Sequence, residues 1–369
     1  MRILVAPDCF TGTLTSAQAA TSIAKGWGQV FPEDQIELAP LSDGGPGFVS
    51  AIVGALGADA VPVVVTGPHG QNVPAQFAKL GDQVWIESAQ ACGLSLLEEN
   101  SRNPELTTTF GVGELILAAI ESGATKITIG LGGSGTNDGG AGMLSALGAT
   151  ADVNLSSGVL ALRRLSGIDI SAARNKLAGI ELICATDVDN PLLGLRGATN
   201  TFAKQKGASE ESVMRLEGAL ENFAKVCGKT KDGKDPAVAL GAGAAGGLGY
   251  GLLLLGGKRV AGIESVMQMI NLDGMIALAD LVITGEGCLD DQTLYGKVVS
   301  GVARHCVDAG KPCVAIAGEV RLGKRECLTA GIDSAYSMVD VAGKERALSQ
   351  PETVLIETAQ RVAKTWGRR

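Results

Sequence analysis

Apolar residues follow two rhythms along this chain, and the rhythm changes twice. Residues 2–6 form an apolar run ending at Pro7-Asp8. Thr15 and Gln18 then make a capping box for a helix whose apolar face is Ala17, Ala20, Ile23, Ala24 and Trp27. A short strand over 36–41 leads to Ser42-Asp43-Gly44-Gly45 and a helix through Val49, Ile52, Val53 and Leu56. After Asp280 the same syntax returns, with strands over 281–284, 313–317 and 334–339 alternating with helices over 298–307 and 324–330, before a terminal helix to Trp366. Such alternation predicts a parallel sheet. In between, residues 61–66, 73–80 and 84–88 read as antiparallel strands joined by Gly67-Pro68-His69-Gly70 and Gly81-Asp82. The expectation is an α/β protein. One parallel-sheet domain is built from residues 1–61 and 278–369, an α+β domain of residues 62–277 is inserted, and the active site lies in the cleft between them.

The insert carries the richest stretch of the chain. Ile127, Thr128 and Ile129 predict a strand, and Ala141, Met143, Leu144 and Leu147 a helix that stops at Gly148. Between them lie Gly130, Gly132, Gly133, Gly135, Gly139 and Gly140. A loop of this kind admits close backbone approach to a ligand and points N–H groups at an anion. Its Gly130-x-Gly132-x-x-Gly135 spacing, with Asp152 where a ribose-binding acid would stand, supports a competing reading as a nicotinamide-dependent oxidoreductase acting on a small hydroxy acid. Thr136-Asn137-Asp138 at the helix mouth suits a sugar hydroxyl or a metal better than a bare pyrophosphate. The pattern G-x-x-x-x-G-K-[ST] occurs nowhere. Residues 241–249 form a second glycine run with the same formal spacing, after only four apolar residues.

Composition narrows the classes. With 369 residues the chain has room for two domains, and 46% hydrophobic residues against 4% aromatic ones describe an aliphatic α/β core. A formal net charge of -8 argues against nucleic acid, and no run of eighteen apolar residues predicts a membrane span. Eight cysteines without C-x-x-C pairs, and a start directly on a strand, predict a cytoplasmic protein with reduced thiols.

Acids gather at predicted strand ends. Asp8 and Asp43 do so near the start, and Thr186-Asp187-Val188-Asp189-Asn190 follows an apolar strand over 180–185. The stretch after Thr284 reads as a turn, Gly285-Glu286-Gly287-Cys288-Leu289-Asp290-Asp291-Gln292-Thr293, followed by Gly296-Lys297. Phosphoryl transfer needs metal-binding carboxylates, a cation over the moving group and a base near the acceptor hydroxyl. The two histidines, His69 and His305, fall in a hairpin turn and inside a helix, which leaves hydride transfer without its usual proton shuttle.

These motifs, together with Thr107-Thr108-Thr109, Gly132-Gly133-Ser134 and Gln205-Lys206-Gly207, closely resemble the type 1 glycerate kinases over essentially the whole chain. The resemblance implies a flavodoxin-like parallel-sheet domain, ATP and Mg2+ as cofactors, and glycerate phosphorylated to 2-phosphoglycerate. On it, Gly132, Gly133, Ser134, Thr136, Asn137, Gln205, Lys206 and Glu286 are expected to bind the nucleotide. Asp8, Asp43, Arg102 and Thr108 are expected to bind substrate. Asp187, Asp290 and Lys297 are expected in catalysis, and Asp138 and Asp189 at a metal. The only partner implied is the small molecule, without nucleic acid or membrane, for a monomer or homodimer. Thr11 departs from a lysine usual in similar proteins, and the extra cation Lys204 offers a replacement for its charge. A sugar-acid sensor that has lost turnover is the non-catalytic alternative.

Overall fold

The computed structural model describes residues 1–10, 12–42, 44–230, 232–295 and 298–367, with Ser265, Gln292 and Tyr295 described by backbone alone. Asp43 and Lys297, singled out above, and Thr11 lie outside the described residues. Thirteen strands form among the described residues: β1 (Arg2–Val5), β2 (Gln35–Leu38), β3 (Asp59–Thr66), β4 (Asn72–Leu80), β5 (Gln83–Glu87), β6 (Lys126–Gly130), β7 (Thr150–Ala151), β8 (Ile168–Asp169), β9 (Glu181–Ala185), β10 (Lys258–Val260), β11 (Leu281–Leu289), β12 (Cys313–Val320) and β13 (Ser334–Ser337).

Both chain ends build one sheet, ordered β13-β12-β11-β1-β2, and every neighbouring pair is parallel. This is the flavodoxin order, with the topological switch between β1 and β11. Strands buried on both sides read as continuous apolar runs, and Ile3, Leu4 and Val5 or Leu281, Val282 and Ile283 are such runs. Helices Ser16–Gly28 and Pro351–Trp366 pack together, and their Ile23, Trp27, Leu355 and Val362 share a core with Ile3, Val5 and Ile316.

The sequence reading stops β11 at Thr284, yet the strand runs to Leu289, paired with β12 up to Leu289↔Val320. Gly285 and Gly287 look like turn residues in isolation. In the sheet Gly285 answers a close neighbour: a Cβ there would stand 2.2 Å from the Ile316 carbonyl oxygen.

The other sheet, ordered β10-β9-β6-β5-β4-β3, is mixed. The meander β3-β4-β5 is antiparallel, and β5, β6, β9 and β10 continue in parallel. Its core joins Ile86, Ile127, Ile129, Leu115, Met143, Leu220, Phe223 and Tyr250. The stretch of weak pattern before residue 180 holds the small hairpin β7–β8, a 3-10 turn Val159–Arg164 and a helix Ser171–Lys176, all too short to impose a period on the sequence.

The chain divides into two units, Met1–Asp43 with Ser50–Gly57 and Ile263–Arg369, and Gly44–Val49 with Ala58–Gly262. The short segment Gly44–Val49 goes with the second because its glycines stack directly on the loop after β6, as described below. No helix among the described residues is long and apolar enough to cross a membrane.

Candidate active site

In the second unit, β6 delivers the glycine loop and the helix Ala141–Ala146 takes the chain away. Packing demands its glycines. A Cβ on Gly132 would lie 2.4 Å from the Gly45 Cα, and Gly132 N donates to the Gly44 carbonyl at 3.1 Å. The second glycine run, part of Ala244–Leu254, turns left-handed at Ala245, Gly246 and Gly247 and lies against the same loop. Gly139 N donates to the Gly246 carbonyl at 3.1 Å, and a Cβ on Gly246 would meet the Thr136 carbonyl oxygen at 1.9 Å. Gly135 N bonds to the Cys92 carbonyl at 2.7 Å and Leu94 N to that of Gly133 at 2.8 Å.

Two buried charges are set into this loop. Lys206, on the 3-10 turn Lys204–Lys206, is 2% exposed, and its Nζ donates to Ser134 Oγ at 2.8 Å and the Thr136 carbonyl at 2.7 Å. Burial lowers its pKa to about 8, opposed by the charges of Cys92 and Asp138. Asp138 is wholly buried, and burial pushes its carboxyl up against four bonds that favour the anion. Its Oδ2 accepts from Thr109 N, Thr109 Oγ1 and Gly142 N, and its Oδ1 from Gly140 N. Asn137 donates through Nδ2 to Thr199 Oγ1 at 3.0 Å, while its buried Oδ1 has no partner among the described residues.

The threonine triplet binds this assembly rather than standing open. Thr107 Oγ1 donates to the Gly135 carbonyl, and Thr108 Oγ1 accepts from Phe110 N at the start of the helix Phe110–Glu121. Arg102 backs onto Gly207, where a Cβ would lie 2.3 Å from the Arg102 carbonyl oxygen, and its buried Nε has no partner among the described residues. Gln205 is exposed, and Lys204 beside it pairs with Glu210 at 2.5 Å on the surface. After β9, Asp187 Oδ1 accepts from Gly262 N at 3.0 Å, and Asp189 pairs with Arg259 at 2.6 Å.

In the first unit, the strand ends carry their own acids. Asp8 N donates to the Gly285 carbonyl at 2.8 Å, which sets Asp8 beside Glu286 at the carboxyl edge of β1 and β11. Asp8 is 9% and Glu286 5% exposed. Cys9 N donates to Asp8 Oδ1 at 2.7 Å, and Thr293 Oγ1 to Glu286 Oε1 at 2.5 Å. Thr293 Oγ1 also accepts from Asp290 N at 3.1 Å, so Glu286 and Asp290 are tied through one hydroxyl. Ligands of open parallel sheets bind at this edge, at the switch point.

The model of the glycerate kinase family matches residues 3–367 of the chain. The chain belongs to that family. It is similar to the glycerate kinase of Halalkalibacterium halodurans, 40% identical over 98% of this chain and 97% of that protein. It is also similar to the glycerate 2-kinase of Escherichia coli, 42% identical over 93% and 92%. A crystal structure of a Salmonella typhimurium LT2 protein designated glycerate kinase 2 superposes with a TM-score of 0.82 at 38% identity, covering 100% of this chain and 98% of that one. As a member of the family the chain is an enzyme, a phosphotransferase of the glycerate kinase type.

Membership sets aside the nicotinamide and sensor readings, and the loop shows why its spacing misled. Asp152, placed by spacing at a ribose, accepts instead from Ser166 N, Ser166 Oγ and Gly167 N near the small hairpin. The glycine spacing reflects backbone packed on backbone. Sequence reading also missed Glu87. This buried acid at the end of β5 accepts from Gly47 N at 3.0 Å and Val49 N at 3.3 Å, capping the helix Phe48–Leu56 and fixing the turn that covers the loop. Its role carries no local signal, since the Gly47 and Val49 amides it caps lie some forty residues away. The same holds for Cys92, whose thiol burial pushes up to about 12.

Proposed function

We propose that the enzyme transfers the γ-phosphoryl group of ATP to glycerate, with magnesium, and releases 2-phosphoglycerate. The observation that carries this reading is the Lys206 ammonium fixed by Ser134 and Thr136 on the glycine loop, a preset cation at a place built for an anion. The product follows the designation of the Escherichia coli relative.

The donor set fits a nucleotide polyphosphate. Lys206 and the backbone around Ser134, Thr136 and Asn137 would hold its phosphates, with the exposed Gln205 beside them. The bound nucleotide supplies the phosphoryl group. Asp8, at the carboxyl edge of the first unit's sheet, is assigned to a glycerate hydroxyl. Asp187 or Asp290 takes the proton from the attacking hydroxyl. The residues expected at the metal do not fit it. Asp138 already accepts four protein bonds, and Asp189 is neutralised by Arg259. Neither is assigned to magnesium.

The test is a coupled assay of ADP release by the purified enzyme, with the product passed to enolase without a mutase. Glycerate-dependent ADP release and direct conversion by enolase are expected. ADP release with a product that enolase ignores would overturn 2-phosphorylation, and no ADP release would overturn the substrate pair.

A further inference from the structure

Thr109 is a loop residue that none of the ligand assignments uses, yet it holds the buried acid Asp138, which accepts four bonds. Its backbone N and its Oγ1 both donate to Asp138 Oδ2, at 2.8 and 2.9 Å, while Oγ1 accepts from Met143 N at 3.0 Å. The same carboxylate accepts from Gly140 N at 3.1 Å and Gly142 N at 3.2 Å. One hydroxyl–carboxylate pair therefore ties the start of Phe110–Glu121 to the start of Ala141–Ala146. The approach is close enough that a Cβ on Gly142 would lie 2.1 Å from Thr108 Oγ1 and 2.7 Å from Phe110 N.

We propose that Thr109 is a positioning residue: its clasp on Asp138 fixes the glycine loop in the geometry that receives the nucleotide phosphates. The inference rests on the nucleotide reading of that loop. Two residues before Asp138, the Thr136 carbonyl accepts from Lys206, so the network runs from Thr109 through a short rigid backbone to the ammonium. Thr109, Thr136, Asn137 and Asp138 are all fully buried, and solvent cannot replace a lost bond. Valine has nearly the shape of threonine but would leave Met143 N and Asp138 Oδ2 each short of a partner. Serine would keep both bonds.

The test compares wild-type enzyme with Thr109→Val and Thr109→Ser. Calorimetric titrations use magnesium-ATP and, separately, glycerate, with hydrogen exchange followed over residues 131–143. Thr109→Val is expected to weaken ATP binding about tenfold, the scale of one charged hydrogen bond, with glycerate binding changed less than about twofold. Exchange in the loop should accelerate, and Thr109→Ser should restore both readouts. Unchanged ATP affinity in a folded Thr109→Val protein, equal losses toward both ligands, or a serine variant as impaired as valine would each overturn the clasp. Should the valine variant not fold, Asp138→Asn carries the same comparison, and unchanged ATP affinity there would also overturn it. A wild-type enzyme that binds no ATP refutes the nucleotide reading itself, so the two failures separate.

Discussion

The glycine loop of the second unit and the acidic strand edge of the first meet the same demand, holding polar groups ready for a charged ligand, by opposite constructions. At the edge, Asp8 and Glu286 are placed by strand pairing, and their carboxylates accept from the nearby Cys9 N and Thr293 Oγ1. In the loop, the backbone is placed by contacts from Gly44, Cys92, Thr107, Lys206 and Gly246, segments scattered over some two hundred residues. The edge can lose a charge and keep its fold. The loop has no room for a methyl group at Gly132 or Gly246.

The largest effect should follow from Gly246→Ala. The residue has φ +66° and no room for a methyl group beside the Thr136 carbonyl, so strain and displacement together should cost roughly 2–5 kcal/mol. Urea denaturation followed by circular dichroism measures it. A variant of wild-type stability would break the comparison, since the loop would then have slack. Next comes Asp8→Asn. The amide oxygen can still accept from Cys9 N, so stability should hold while kcat/KM for glycerate falls roughly ten- to a hundredfold, the scale of one charged hydrogen bond. Equal loss of stability and activity would show the edge to be as interlocked as the loop.

A smaller, graded effect follows from Lys206. Its folded pKa of about 8 lies below the ordinary 10.5, so between these values the unfolded chain holds a proton that the folded one has released. From this group stability rises with pH across that window, while ATP affinity, which uses the ammonium, falls above about pH 8 by up to about tenfold per unit. Titrating both quantities from pH 7 to 10 checks the opposed signs; a fall in both would detach the lysine from nucleotide binding. The smallest effect belongs to Lys204→Ala. Its exposed pair with Glu210 contributes about 0–1 kcal/mol, and turnover should stay within about twofold of wild type. A marked loss of turnover would revive Lys204 as the substitute for a cation at position 11.

The legibility of the two regions differs in the same way. The parallel sheet could be read because its strands bury both faces and its helices return at regular intervals, signals carried by neighbours in sequence. The reading failed at Gly285 and Gly287, where strand and turn look alike until β12 is alongside. In the loop, the strand, the glycines and the helix were visible. The reason for the glycines was not, because Gly45 and Gly246 act from far along the chain. Asp138 reads from the sequence only as an acid at a helix mouth, since only the fold reveals that Thr109, Gly140 and Gly142 donate to its oxygens.

Cys9 and Cys288 flank the two edge acids, one residue after Asp8 and two after Glu286, and both are half-buried, as is Cys227 far from the edge in sequence, whereas Cys92, Cys184, Cys306, Cys313 and Cys327 are buried. The protein thus carries native footprinting handles where glycerate is proposed to bind. Burial raises the Cys288 thiol above its ordinary pKa, so alkylation there should be slow near neutrality and quicken in alkali. Mass-spectrometric mapping of iodoacetamide adducts, with and without glycerate, would then read occupancy of the edge directly, with no engineered label and no turnover required.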